Sequence, residues 1–230
     1  MTEIQEKANT IPQELNIAEI RKYTKEAAPL IHCITNPISI HDCANIILAA
    51  GARPIMAEHP AEVAEITAVA SALMLNLGNI TDARIESIQR ALKEANRRKI
   101  PVLLDLVGVT CSSLRREFAR KLLADGRFAV IKGNISEILA AADLPFHGTG
   151  IDAGSQDAIS QANEASYCTT AKKLAEHLGC TVMATGKLDL IADRHQAFLI
   201  ANGHTALSGI TGTGCMVGAL TAAYLPASVA

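Results

Sequence analysis

The sequence predicts an α/β fold in which a mostly parallel central sheet is covered by helices on both faces. Short β-rich segments alternate with helical periods along most of the 230 residues, and parallel strands need crossover connections of this kind. Near residue 185 the alternation gives way to two short strands around the turn 193–195, which predicts a late hairpin. The chain is expected to form one domain over residues 1–230, with two domains as the alternative.

The first half of the chain shows the alternation clearly. Gly51 ends the second helix, and basic residues gather at the C-terminal end of the fourth, where they suit the helix dipole. Apolar runs of four to six residues mark the buried strands. Helices are predicted at 17–28, 38–50, 61–71 and 82–98, and strands at 29–35, 53–56, 72–76 and 100–105.

The second half continues the pattern and then changes. Glycine and proline punctuate residues 144–156, which predicts a loop that acts as a flexible flap. Helices are predicted at 113–124, from near Ser136, and at 158–178. Strands are predicted at 128–132 and 181–185, with 188–192 and 196–200 as the hairpin. A last helix follows the glycine turn 211–215.

Composition excludes several classes of protein. The formal net charge is −2 and aromatic residues make up 3% of the chain, so phosphate-backbone binding and base stacking have little support, and no nucleic-acid partner is expected. No apolar run approaches the roughly 20 residues of a membrane span. The polar segment 1–16 is unlike a signal peptide, and the six cysteines contain no C-x-x-C pair, which predicts a cytoplasmic protein with reduced thiols.

Polar side chains interrupt the apolar runs where the predicted strands end. In parallel α/β folds these carboxyl ends meet at one edge of the sheet, where ligands bind. The edge is therefore the expected site, although strand ends often carry polar residues for structural reasons alone. The residues concerned are Thr35, Asn36, Asn76, Asp105, Lys132, Gly133, Asn134, Thr185, Gly186 and the turn 211–215.

The turn Thr211-Gly212-Thr213-Gly214-Cys215 is the strongest candidate for an anion site. Glycine allows backbone N–H groups to converge, and a helix N-terminus carries partial positive charge. Cys215 would face the bound anion, and this position favours a thiolate. It is either a proton acceptor or a small residue where bulk would clash.

Six short motifs follow one another along the chain: His32-Cys33-Ile34-Thr35-Asn36, Pro54-Ile55-Met56-Ala57, Leu103-Leu104-Asp105, Ile131-Lys132-Gly133-Asn134-Ile135-Ser136-Glu137, Ala184-Thr185-Gly186 and the turn 211–215. In order and spacing they resemble the hydroxyethylthiazole kinase family, over about residues 17–224. The resemblance implies a ribokinase-like fold and Mg²⁺-dependent transfer of the ATP γ-phosphoryl group to 4-methyl-5-(2-hydroxyethyl)thiazole in thiamine biosynthesis or salvage. It also implies a homotrimer with active sites between subunits.

The resemblance also implies roles for residues around the thiazole alcohol. Met56 matches the family's thiazole-contacting methionine, and Asn36 lies in the matching loop after the first strand. Gly212 matches the substrate-binding glycine of the anion turn. Cys215 stands where many ribokinase-like kinases carry an aspartate base, which makes it the candidate catalytic residue.

Residues for the nucleotide and the metal follow in the same way. Lys132 stands in place of the family's arginine and is expected to contact the phosphates of ATP. Thr185 matches the family's ATP-contacting threonine. Thr211 and Gly214 of the anion turn are also assigned to ATP. Asp105 and Glu137 are expected to help hold Mg²⁺, mainly through water. Glu137 equally suits a capping box with Asn134, and the two roles are compatible.

Several positions depart from the family's pattern. Leu106 stands in place of proline, the segment 109–111 differs from a Gly-Ala-Thr stretch, and Lys187 reverses a charge. The chain ends at Ala230, before the further helices usual in the family, and is thus expected to be either a shortened chain or a naturally short member. These departures leave two alternatives: another vitamin kinase, of the hydroxymethylpyrimidine or pyridoxine type, or a weakly active thiazole- or nucleotide-binding protein.

The histidines are expected to play supporting roles. His32, His41 and His59 lack metal-ligand spacing, and His195 lies in the predicted hairpin turn. Each is interpreted as a surface residue or one that supports a site rather than as a catalyst.

Overall fold

The computed structural model describes residues 16–148 and 154–228. The strands of the described chain are β1 (Leu30–Ile34), β2 (Arg53–Ile55), β3 (Ala72–Asn76), β4 (Val102–Asp105), β5 (Val130–Asn134), β6 (Thr181–Thr185), β7 (Asp189–Ala192) and β8 (Ala197–Ile200). The α-helices are α1 (Ile17–Ala27), α2 (Ile40–Ala49), α3 (Val63–Val69), α4 (Asp82–Arg98), α5 (Ser113–Asp125), α6 (Ile135–Ala141), α7 (Glu164–Leu178) and α8 (Thr213–Tyr224). None of the helices in this part is long and apolar enough to span a bilayer.

These elements group into two compact units. The β1–β4 unit contains residues 16–105, 125–129 and 211–228 of the described chain. The β5–β8 unit contains residues 106–124, 130–148 and 154–210. Each unit carries four strands and has its own candidate site residues.

The β1–β4 unit is built on a wholly parallel set of strands in the order β2, β1, β3, β4. The register pairs His32 with Leu73 and, at the carboxyl ends of β3 and β4, Asn76 with Asp105. All residues of β3 and β4 are buried. Strands covered on both faces read as continuous apolar runs, which is why these two are clear in the sequence.

Helices cover both faces of these strands. His32 bonds to Thr67 of α3, and the next residue of β1, Cys33, points the other way and donates to Met74 Sδ at 3.4 Å. On that side α8 comes very close, because a Cβ added at Gly218 would lie 2.8 Å from Met74 Cε and 3.4 Å from Asp105 Oδ2. A residue without a side chain therefore leaves room here for the end of Met74.

The β5–β8 unit pairs β5 with β6 in parallel and then adds β7 and β8 antiparallel. Asn134 lies opposite Thr185 at the carboxyl ends of the parallel pair. Asp193 closes the hairpin turn by accepting from the backbone N–H groups of His195 and Gln196 at 2.7 and 2.8 Å. The predicted fold class, a mostly parallel α/β fold with a late hairpin, is confirmed.

The main difference from the predicted elements lies before α7. The sequence predicts a helix over 158–178, but the observed helix begins at Glu164. Asn163 explains the delay, because its side chain accepts from Ser160 N at 2.7 Å and donates to Ala158 O at 2.9 Å. An asparagine that bonds to nearby backbone competes with helix formation.

The predicted loop at 144–156 is only partly described. Residues 144–148 and 154 belong to no helix or strand, and a short 3-10 helix spans Ser155–Asp157. Residues 149–153 lie outside the described chain, so the flap interpretation stays a prediction.

Candidate active site

The glycine turn of the β1–β4 unit lies at the start of α8, which begins at Thr213, within the turn. Gly212 precedes the first residue of α8 with φ of 81°, in the left-handed region that favours glycine. A Cβ at this position would also lie 3.0 Å from Ser39 Cβ. The carbonyl of Gly212 accepts from Met216 N at 2.9 Å, so α8 begins here. Thr211, just before the helix, is exposed, and Gly214 in its first turn is half-buried.

Cys215 lies in the first turn of α8 and is 7% exposed. Its Sγ accepts from Asn36 Nδ2 at 3.2 Å and from Asn76 Nδ2 at 3.3 Å. Two side-chain amides, from the ends of β1 and β3, therefore aim N–H groups at one sulfur. This arrangement orients the thiol and suits an acceptor role for the sulfur.

The two asparagines extend the network to a carboxylate. Asn36 Nδ2 donates to Asn76 Oδ1 at 3.2 Å, and Asn76 Nδ2 donates to Asp105 Oδ2 at 3.2 Å. Asn36 Oδ1 also accepts from the backbone N–H groups of Ile38 and Ser39, both at 3.1 Å. Asp105 is completely buried. Asn36, Asn76, Asp105 and Cys215 thus form one connected polar cluster, here called the thiol network.

Two neighbouring cysteines differ from Cys215 in their surroundings. Burial raises the pKa of the Cys33 thiol well above its ordinary value. Burial also raises the pKa of Cys43, against the opposing hydrogen bonds with Ser39 and Thr35. Both are therefore neutral small side chains of the core at ordinary pH.

Met56 lies immediately after β2 and is half-buried. The residues that follow it belong to no strand or helix, but three side chains hold them: His32 bonds to Ala57 O at 2.8 Å, Ser87 donates to Glu58 O at 2.7 Å, and Arg84 pairs with Glu58 at 3.0 Å.

Glu137 of the β5–β8 unit forms the capping box that the sequence allows. Its Oε2 accepts from Asn134 N at 2.7 Å, and Asn134 Oδ1 accepts from Glu137 N at 2.9 Å. Its Oε1 also accepts from Gly108 N at 2.8 Å. The carboxylate is 2% exposed and joins the turn after residue 105 to the start of α6. Its metal role stays a prediction.

Lys132 and Thr185 also lie in the β5–β8 unit. Lys132 lies on β5 and is 3% exposed. Burial raises the pKa of Asp189 on β7, and the positive charge of Lys132 opposes this shift. Thr185 Oγ1 donates to Gly133 O at 3.3 Å, which is the backbone contact expected of a hydroxyl at a strand end. Lys187 is exposed in the turn before β7.

The described chain brings no three His, Cys, Asp or Glu side chains together in a way that would chelate a metal. Mg²⁺ commonly uses only one or two protein carboxylates beside phosphate and water oxygens. Asp105 and Glu137 offer oxygen donors alone, and this chemistry fits Mg²⁺.

Sequence reasoning misses one member of the thiol network and the contacts of one histidine. The sequence marks Asn76 only as a polar strand end, although it bonds to both Cys215 and Asp105. Its position at the end of a fully buried strand is the available signal, because a buried amide needs partners. The sequence predicts a supporting role for His32, and this side chain contacts the residues after Met56.

The fold defines the chain's class as a ribokinase-like α/β protein. A solved ribokinase-like superfamily protein from Enterococcus faecalis V583 matches it with a TM-score of 0.60, over 97% of this chain and 77% of that one, at 12% identity. That likeness concerns the fold alone.

The family follows from closer matches. The model of the hydroxyethylthiazole kinase family matches residues 21–229. Hydroxyethylthiazole kinase 2 of Clostridium botulinum strain Hall is 50% identical over 207 residues, which are 90% of this chain and 78% of that protein. The solved hydroxyethylthiazole kinase protein from Pyrococcus horikoshii OT3 gives a TM-score of 0.79 and 32% identity, over 90% of this chain and 75% of that one. The chain belongs to the hydroxyethylthiazole kinase family.

Proposed function

We propose that this chain transfers the γ-phosphoryl group of ATP to the primary hydroxyl of 4-methyl-5-(2-hydroxyethyl)thiazole, giving the thiazole phosphate and ADP in thiamine biosynthesis or salvage. Family membership supports the reaction. The observation that carries it is the left-handed Gly212 at the start of α8, with Cys215 beside it in the thiol network.

The transfer itself is a displacement at phosphorus. The alcohol oxygen forms a bond to the γ-phosphorus, the bond from that phosphorus to the bridging oxygen breaks, and ADP leaves with the electron pair. The alcohol proton passes to Sγ of Cys215, which accepts it as the thiolate and becomes the thiol. Backbone N–H groups at the start of α8 stabilise charge on the migrating group. Because the transition state is loose, positioning and charge stabilisation contribute more than proton removal.

Met56 and Asn36 are our candidates for contact with the thiazole, together with Gly212. Met56 suits an apolar heterocycle because its thioether is polarisable and adaptable. Asn36 already makes four hydrogen bonds within the protein. We therefore assign it two roles: it orients Cys215, and it lies beside the thiazole ring.

Lys132, Thr185, Thr211 and Gly214 are our candidates for ATP. Lys132 supplies one positive charge toward phosphate, without the planar fork of an arginine. Asp105 and Glu137 would hold Mg²⁺, chiefly through water. Bound Mg²⁺ would neutralise part of the phosphate charge that develops during the transfer.

The assembly and location belong to the same proposal. We expect a homotrimer with active sites between subunits. Large exposed apolar side chains in the β1–β4 unit support an assembly, since they are candidates for burial against another copy: Ile38, Leu48 and Val69 are 62%, 56% and 70% exposed. Light scattering during gel filtration would measure the mass. None of the six cysteines is in a disulfide, which supports a cytoplasmic location.

Coupled detection of ADP release with ATP and Mg²⁺ tests the reaction. The alcohols to compare are the hydroxyethylthiazole, hydroxymethylpyrimidine and pyridoxine, because the last two would reveal another vitamin kinase. We expect turnover with the thiazole alcohol at the highest kcat/KM. Binding of that alcohol by calorimetry without ADP release would instead indicate a binding protein.

A further inference from the structure

The three residues from Met56 to Glu58, here called the 56–58 segment, depend on side-chain contacts for their position. They follow β2, which is the outer strand of the β1–β4 unit. This strand has only three residues. No residue of the segment belongs to a strand or helix. A segment without its own ladder of backbone hydrogen bonds is easily displaced unless other groups hold it.

His32 holds the carbonyl of Ala57, the middle residue of the segment. It is completely buried on β1, and its Nε2 lies 2.8 Å from Ala57 O. A carbonyl only accepts hydrogen bonds, so Nε2 carries the proton. Nδ1 lies 2.8 Å from Thr67 Oγ1 and accepts from it. Burial lowers the pKa of His32, which favours this neutral ring with a single tautomer.

Two residues of α4 hold the carbonyl and the side chain of Glu58, the last residue of the segment. Ser87 Oγ lies 2.7 Å from Glu58 O and 2.8 Å from Ala83 O, and its one hydrogen is shared between them. Arg84 Nη1 donates to Glu58 Oε2 at 3.0 Å. Within the described chain, Nε and Nη2 of Arg84 are buried without a hydrogen-bond acceptor. The buried guanidinium therefore gives the exposed Glu58 a fixed partner.

We infer that His32, Arg84 and Ser87 are positioning residues that fix the 56–58 segment and, through Met56, set the affinity for the heterocyclic alcohol. The inference rests on the proposed function, because Met56 is its thiazole contact. The three residues reach the segment from β1 and α4, and they fix two successive carbonyls next to Met56. None of the three bonds to the thiol network, so their loss should weaken alcohol binding more than the transfer step.

Ser87→Ala is the main test, because alanine is favourable in a helix and folding should survive. Losing one hydrogen bond should raise KM for the thiazole alcohol by about five-fold, while KM for ATP stays constant and kcat changes by less than about two-fold. Ser87→Thr, which keeps the hydroxyl, should retain the low KM. Thr169→Ala is the matched control, because it removes a hydroxyl bond to the carbonyl four residues earlier on α7.

His32→Phe should raise the same KM by more than Ser87→Ala, provided that it folds. An unchanged alcohol KM in Ser87→Ala would overturn the inference, as would a matching loss in Thr169→Ala or equal changes in both KM values and kcat. Calorimetry with the thiazole alcohol on the wild-type protein separates the two proposals. If the wild type neither binds nor phosphorylates the alcohol, both proposals fail; if it does and Ser87→Ala behaves like it, only the inference fails.

Discussion

The thiol network and the Glu137 cap are built in opposite ways. Cys215 meets Asn36 and Asn76 across separations of 179 and 139 residues, whereas Glu137 meets Asn134 three residues away. The first arrangement exists only once β1, β3 and α8 have packed together. The second forms within one helix start, and a further bond to Gly108 adds to it. We therefore expect changes in the network to alter chemistry, and changes at the cap to alter stability.

The largest expected effect comes from Gly212→Ala, which tests the turn that leads to Cys215 of the thiol network. The new Cβ would be 3.0 Å from Ser39 Cβ at a φ of 81°, so the turn must shift. Disturbing amides that stabilise a transition state should lower kcat by about a hundred-fold. Gly209→Ala is the control, since a Cβ there meets nothing within 4 Å. Equal kcat values for the two variants would show that the turn does not serve the reaction.

Glu137→Ala tests the cap side. The change leaves two backbone N–H groups without their buried charged acceptor, and it should lower the free energy of unfolding by about 3 kcal/mol. Urea denaturation measures the difference, with the exposed Glu117→Ala as the comparison. If Glu137→Ala instead unfolds like the wild type but loses Mg²⁺-dependent activity, its role as a metal residue would outweigh its role as a cap.

Cys215→Ala tests how much of the rate depends on the sulfur as proton acceptor and how much on the rest of the thiol network. Proton removal is a minor contribution in a loose phosphoryl transfer, so kcat should fall about ten-fold, less than for Gly212→Ala. The unfolding midpoint should stay close to that of the wild type. A loss larger than that of Gly212→Ala would assign the thiol the main catalytic part.

The smallest expected effect concerns pH. Burial lowers the pKa of His32 below its unfolded value of about 6.5, although the bond to Ala57 O and the charge of Glu62 oppose the shift. The unfolded chain then binds more protons in the window below about pH 6.5. The stability that neutral His32 contributes is fully present above about pH 6.5. It is lost as the pH falls through the lower pKa of His32 in the folded protein.

Thermal unfolding of the wild type and His32→Gln between pH 5 and 7.5 would measure this effect. The variant should show the shallower decline of Tm with falling pH. His195→Gln, at an exposed turn position, serves as the control and should follow the wild type. Parallel plots of Tm against pH for the wild type and His32→Gln would show that His32 does not contribute to the pH dependence of stability.

The same contrast explains what the sequence could predict. The cap between Asn134 and Glu137 is readable because its residues are close in the chain, and β3 and β4 are readable because short unbroken apolar runs are typical of strands buried on both faces. The start of α7 at Glu164 was missed because Asn163 competes locally with the helix. Asn76 as a partner of Cys215 was missed because its contact depends on which strands and helix meet, which no local pattern records.

Gly218 gives α8 a consequence beyond packing. It lies one turn after Cys215 on the same face of the helix, against Met74 and Asp105. An added Cβ would have to displace the flexible end of Met74, and a larger side chain would press on the buried Asp105, which accepts from Asn76 of the thiol network. A residue with no reactive atom thus acts as a spacer for the chemistry, and drift at this position would appear as a slower enzyme before it appeared as an unfolded one.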